Sequence, residues 1–241
     1  MSKPTDEQPA QPPKTFKRAT WEWVKSLAIA IVIWLFLRTF VIEAFRIPSG
    51  SMEPTLLVGD FLFVNKALYG AQIPFTSIHL PAIRSPRLHD IVVFDSRTEG
   101  GVKVVKRVVG LPGDTLQMRD AVLYRDGVRQ VEPYIEHTDP AEDPTDSMMY
   151  WQVKYLLPRV DRATYHPTRD DWGPLVVPPR DYFVMGDNRD DSFDSRYWGF
   201  VPRRVIRGRP MFIYYSFDKK SWKALPFITA IRWGRIFHQP R

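Results

Sequence analysis

A chain of 241 residues with 44% hydrophobic content can bury one substantial core, or one core with a small appended lobe. It contains no cysteine, which excludes disulfides, cysteine nucleophiles and thiolate metal sites. The formal net charge of +7 suits nucleic acid, an anionic membrane surface or plain solubility, and acidic clusters such as "DPAEDPTD" interrupt the basic ones, so charge alone selects none of the three.

The 22 prolines and the short, punctuated aromatic and β-branched segments predict a mostly β fold. Residues 1–20 are polar and proline-rich without apolar periodicity, and read as a disordered tail. Residues 21–45 follow with an abrupt change: "LAIAIVIWLFL" runs from Leu27 to Leu37, and "TFVIEAF" continues after Arg38 to Phe45. Together they approach the length of a helix that crosses a bilayer. A buried core helix would need a partner upstream, and a cleavable leader would need small residues at the cleavage spacing, which this segment lacks. A retained signal-anchor accounts for more: Lys14, Lys17, Arg18 and Lys25 precede the apolar run, Trp21 and Trp23 suit an interface, and Arg38 can snorkel to the far headgroups. On that reading the tail is cytoplasmic and residues 46–241 form an extracytoplasmic domain.

Directly after the anchor comes "IPSGSMEPTLLVGD", residues 47–60, with Ser49 and Ser51 on either side of Gly50. A serine hydroxyl attacks only when a base takes its proton. The five histidines (His79, His89, His137, His166 and His238) lie in segments that are not built around them. The apolar stretch 68–83 reads either as a lipid-touching segment or as a proline-punctuated loop over the core. Next, "GVKVVKRVVGLPGD" alternates as a strand and sets Lys106 between Val104 and Val108. Burial there would disfavour the ammonium form and suit a general base, while an edge-strand lysine guarding against aggregation fits the same pattern.

Residues from about 117 to 180 carry a hairpin signal in "YRDGVRQ" and an acidic, proline-rich centre, and read as an inserted lobe without chemistry. Residues 186–202, "GDNRDDSFDSRYWGFVP", are too polar for core and too rich in turn formers for a strand. They read as a loop bracing a buried catalytic group; the glycine and glutamate of a calcium loop are out of place, so no metal is expected. At the end, "FITAIRWGRIFHQPR" mixes Ile, Phe and Trp with Arg232, Arg235 and Arg241, as an interfacial basic helix would.

Taken together, "FRIPSGSMEPTLLVGDFLFVNK", "HDIVVF", "VKRVVGLPGD" and "GDNRDDSFDSRYWGFVP", in this order behind one anchor, resemble the bacterial type I signal peptidases. The resemblance implies a largely antiparallel β fold and a serine/lysine dyad that removes signal peptides from exported preproteins after small residues of the Ala-X-Ala type. It places Ser51 as nucleophile, Lys106 as general base, and Ser49 beside the Ser51 N–H as the oxyanion donors. It also matches Ser192 to a serine that hydrogen-bonds the lysine, makes Asp194 and Arg196 a supporting ion pair, sets Arg107 with these three among the residues that support the dyad, and lines shallow substrate pockets with Phe45, Ile47 and Val105. The implied partners are preprotein signal peptides, membrane lipid and an export translocon, with no nucleic acid and no cofactor. Asp191 and Phe193 stand at positions that vary in the motif. Two other functions fit parts of the pattern: a self-cleaving serine/lysine regulator of the repressor type, for which the polar tail is too short to be a DNA-binding domain, and a non-enzymatic membrane-anchored binding protein.

Overall fold

The computed structural model describes residues 16–73, 76, 78–96, 100–139 and 145–241, and the chain divides into two compact units at Arg38 and Thr39. The first unit is built on helix α1 (Phe16–Phe36), which passes into a short π-type turn at Leu37–Val41. Thr20–Val41 is long and apolar enough to cross a membrane, with a mean hydropathy of 2.0 and none of its apolar window buried. A core helix would bury that stripe, so the exposure weighs against the core-helix reading.

Both ends of the expected anchor shift. The helix begins at Phe16, so residues 16–20 are helical rather than part of a tail, and residues 1–15 lie outside the described residues. At the other end, Ile42–Phe45 belong to a strand, not to the anchor. The reason is visible at Glu43: its carboxylate forms ion pairs with Lys103 and Lys66, which strand geometry supplies and a bilayer interior would not.

Among its described residues the second unit holds eleven strands: β1 (Ile42–Arg46), β2 (Asp60–Asn65), β3 (Ile91–Asp95), β4 (Lys103–Gly110), β5 (Thr115–Arg119), β6 (Val122–Arg125), β7 (Val128–Arg129), β8 (Trp172–Val176), β9 (Asp181–Met185), β10 (Val201–Pro202) and β11 (Ile206–Ser216). They form a seven-stranded sheet in the order β1-β2-β11-β3-β4-β9-β10 and a four-stranded sheet in the order β7-β6-β5-β8. Every strand pairing in both sheets is antiparallel, as expected. Register in β2 follows its alternation: Leu62 and Val64 are buried, while Phe61 and Phe63 turn outward and pack on Tyr214, Tyr215 and Phe212 of β11.

The expected hairpin is present. Asp126 and Gly127 take φ of 52° and 79°, the left-handed pair that a two-residue turn between twisted strands requires, and they join β6 to β7. The lobe is not detached, because Leu116, Trp172 and Leu175 of the smaller sheet share one buried cluster with Val109, Phe183 and Met185 of the larger. Trp172 stacks on Phe183 at 5.1 Å, and losing such a buried ring costs about 3–5 kcal/mol.

The expected C-terminal helix is replaced by two short turns, α3 (Pro226–Thr229) and a 3₁₀ turn at Trp233–Arg235. Its arginines are used elsewhere: Arg235 binds the buried Asp60 carboxylate, and Arg232 binds Asp218 and the Val58 carbonyl. In place of a continuous helix, Asp218 N–H donates to the Ala230 carbonyl and Arg232 N–H to the Ser216 carbonyl, both at 2.9 Å, while Trp222, Phe227, Trp233 and Phe237 stay exposed.

Candidate active site

Ser51 is set by the chain on both sides of it. Ile47 N–H donates to the Asp60 carbonyl at 2.9 Å, and the turn that follows is closed by Glu53 N–H to Gly50 O at 2.9 Å and Leu56 N–H to Met52 O at 2.8 Å. Ile47, Met52 and Leu56 are buried in a cluster with Val105 and Ile213, so core packing fixes the turn and leaves Ser51 half-buried at its lip. Lys106 comes from β4, where it pairs with Val92 of β3. It is 2% exposed, and its Nζ donates to Ser51 Oγ at 2.6 Å. A solvated guard lysine would not be buried in this way, so the aggregation-guard alternative falls.

The two side chains meet in a cleft of roughly 380 Å³. Phe45, Ile47, Ser49 and Val105 line it, as do Met52, Asp191 and Phe193. One wall is the start of β4, a strand that pairs with β3 along residues 103–107 and is joined by β9 from Arg107 onward.

Behind the dyad lies the polar segment 186–196, which folds inward and ends in helix α2 (Ser195–Trp198). Asp194 and Arg196 are fully buried and joined by two bonds of 2.9 Å, and the Asp194 carboxylate also accepts from Gly186 N–H at 3.0 Å and from Arg196 N–H at 3.2 Å. Burial alone would push the Asp194 carboxyl up; the Arg196 charge and hydrogen bonds, with help from Lys106, outweigh it and hold the group below the usual carboxylate range. Because Arg196 already neutralises Asp194, Lys106 does not face a bare carboxylate.

Arg107 is likewise buried, with a bidentate bond to Asp187 at 2.8 and 2.6 Å and a third bond to the His89 carbonyl at 3.0 Å. Asn188 N–H reaches the Ser51 carbonyl at 3.2 Å. Ser192 is buried, but the expected bond to the lysine is not made: its Oγ has no hydrogen-bond partner among the described residues. Lys106 donates to Ser51 Oγ instead, and Gly186 packs closely against both the Ser192 hydroxyl and the Ser51 carbonyl.

Several residues at the site had no assigned role in the sequence reading. Asp187, Asn188 and Arg189 lie inside the polar motif, where composition alone could not rank one carboxylate over another. Glu132 and Tyr134 lie in the lobe and reach the site through the fold: Glu132 binds Arg189 at 2.6 and 2.8 Å, and the Tyr134 ring lies 3.8 Å from the Arg107 guanidinium. No local pattern marks either one.

The family model described as "Signal peptidase, peptidase S26" matches residues 20–215. The chain is 37% identical over 229 residues to a Signal peptidase I of Pseudomonas aeruginosa, covering 87% of this chain and 78% of that relative. It is 35% identical over 206 residues to a Signal peptidase I of Bacillus licheniformis, covering 84% of this chain and 92% of that relative. A crystal structure of a signal peptidase I from Enterococcus faecalis aligns with a TM-score of 0.36 at 34% identity, covering 53% of this chain and 98% of that one.

Proposed function

Because the chain belongs to the S26 signal peptidase family, we propose that it is a membrane-bound serine endopeptidase that removes N-terminal signal peptides from exported preproteins by a Ser51/Lys106 dyad. The observation that carries this reading is the buried Lys106 amine donating to Ser51 Oγ at 2.6 Å in an open cleft. The reaction needs a group within hydrogen-bond reach that can accept the serine proton, and this contact sets Nζ there.

In the proposed sequence, Lys106 takes the Ser51 proton as Oγ bonds the scissile carbonyl carbon, and the carbonyl electron pair moves to oxygen. The Ser51 N–H and the Ser49 hydroxyl hold that oxyanion, donors of a kind worth about 3–4 kcal/mol of barrier. The carbon–nitrogen bond then breaks as Lys106 returns the proton to the leaving amine. Water, deprotonated by the same lysine, hydrolyses the ester and frees Ser51.

Substrate lies extended along the start of β4, beside the dyad and ahead of the Arg107 position at which β9 joins the strand. Phe45, Ile47 and Val105 then form shallow apolar walls that admit small side chains such as Ala before the cut. Lys14, Lys17, Arg18 and Lys25, all on the N-terminal side of the apolar run, favour an N-terminus in the cytoplasm and a catalytic unit outside the cell membrane, with lipid and the export translocon as its neighbours. The test is incubation of the purified full chain with a preprotein, followed by N-terminal sequencing of the product. A new N-terminus immediately after an Ala-X-Ala site supports the reading, and an intact preprotein overturns it.

A further inference from the structure

The lobe's own segment 132–139 runs against the polar loop and is joined to it by an isolated bridge at Glu136. Glu136 N–H donates to the Asp187 carbonyl at 2.9 Å, and Arg189 N–H donates to the Glu136 carbonyl at 2.9 Å, so Glu136 and Asn188 form a parallel bridge. The Thr138 hydroxyl adds a bond to Asn188 Oδ1 at 3.1 Å. Asn188 is the residue whose N–H holds the Ser51 carbonyl at 3.2 Å.

The same segment also grips the base side of the site. Arg107 directly follows Lys106 on β4, and its guanidinium lies between Asp187 and the Tyr134 ring. The Tyr134 hydroxyl bonds Glu132 at 2.9 Å and His89 at 2.8 Å, and the Glu132 carboxylate clamps Arg189, whose Nε donates to the Gly186 carbonyl at 3.2 Å. Glu132 and Arg189 are both nearly inaccessible, with side-chain exposures of 4% and 2%.

We infer that Glu132, Tyr134 and Thr138 are positioning residues that set the Ser51 to Lys106 distance, making the lobe part of the catalytic apparatus. The inference rests on the dyad reading above. Two anchors define the dyad's geometry, Asn188 under the nucleophile and Arg107 beside the base, and this single segment touches both. A shift of about 1 Å in a reacting pair can cost on the order of 100-fold in rate. Loosening the segment therefore slows the chemical step and leaves substrate binding intact.

The experiment compares Tyr134→Leu, Tyr134→Phe, Thr138→Val and Ser51→Ala in the full-length protein in detergent, with kcat, KM and a thermal melt measured on one preprotein with an Ala-X-Ala site. Phenylalanine keeps a ring over Arg107, whereas leucine removes it. For Tyr134→Leu we expect kcat to fall on the order of 10- to 100-fold with KM within about twofold, and for Tyr134→Phe to recover most of that loss. Thr138→Val, a small change unlike the loss of a ring, keeps the test open if the leucine variant does not fold: it should lower kcat a few-fold at an unchanged melting temperature. Full kcat in a folded Tyr134→Leu, a loss confined to KM, or failure of phenylalanine to rescue overturns the positioning role. If Tyr134→Leu does not fold, unchanged kcat in Thr138→Val overturns it. Ser51→Ala separates the two claims: activity there defeats the dyad, whereas an inactive Ser51→Ala beside a fully active Tyr134→Leu defeats only the clamp.

Discussion

Gly186 lies so close to the Ser51 carbonyl that a side-chain carbon at this position would overlap it and the Ser192 hydroxyl together. The contact is with backbone on one side and with a buried serine on the other, so neither neighbour can swing away. We predict that Gly186→Ala displaces Ser51 and lowers kcat by at least about 100-fold, and that overpacking costs about 1–3 kcal/mol of stability. Kinetics and a melt on the purified variant decide it. An alanine variant of normal activity would mean that this packing does not set the nucleophile.

The Asp194–Arg196 pair predicts an acid-sensitive fold. The folded carboxyl titrates below its unfolded value, so its stabilisation is complete above the ordinary carboxylate range and is lost as pH falls through the folded pKa. In Asp194→Asn the buried Arg196 keeps its charge without a partner, at a cost of about 3–5 kcal/mol near neutrality. Melting temperatures of wild type and variant should therefore converge as pH drops from neutral into the acid range. A gap that stays constant would show that the pair does not carry this linkage.

The pocket walls double as core. Ile47 and Val105 share a buried cluster with Met52 and Leu56, so on the proposed reading the surface offered to substrate is the outer skin of packing that also shapes the serine turn. Ile47→Ala and Val105→Ala, singly and together, are predicted to widen the range of residues accepted before the cut, with some loss of stability from the cavity. Cleavage of a substrate library with mass-spectrometric readout measures this. An unchanged cleavage-site distribution in folded variants contradicts the pocket assignment.

Topology is tested by protection. Protease added to intact spheroplasts should digest the unit that begins at Thr39 while sparing a tag at Met1. The opposite pattern contradicts an N-terminus held in the cytoplasm.

The strand order was not legible in the sequence, but the strand chemistry was. Alternation around Lys106 and the Asp126-Gly127 turn pointed to β4 and to the β6–β7 hairpin, because both signals are local. The anchor's end was harder, since Ile42 and Phe45 are as apolar as the helix before them and only Glu43, through its distant lysine partners, reveals a strand. The C-terminal turns were hidden for a similar reason: Arg235 finds Asp60 across 175 positions, which no window of sequence displays. At the site, Ser51 and Lys106 were readable by motif, whereas Glu132 and Tyr134 depend on contacts 57 and 27 positions away, to Arg189 and Arg107.

The central claim is that Ser51 and Lys106 perform the cleavage, and preprotein processing by folded single variants tests it most directly. Ser51→Ala, Lys106→Ala and Lys106→Arg should each be inactive with melts showing a folded protein, because the first lacks the nucleophile, the second lacks the base and a guanidinium cannot accept the proton. Ser49→Ala should retain reduced turnover, down about 10- to 1000-fold with little change in KM, since the Ser51 N–H still holds the oxyanion. Full activity in a folded Lys106→Ala, or normal activity in Ser51→Ala, would contradict the account.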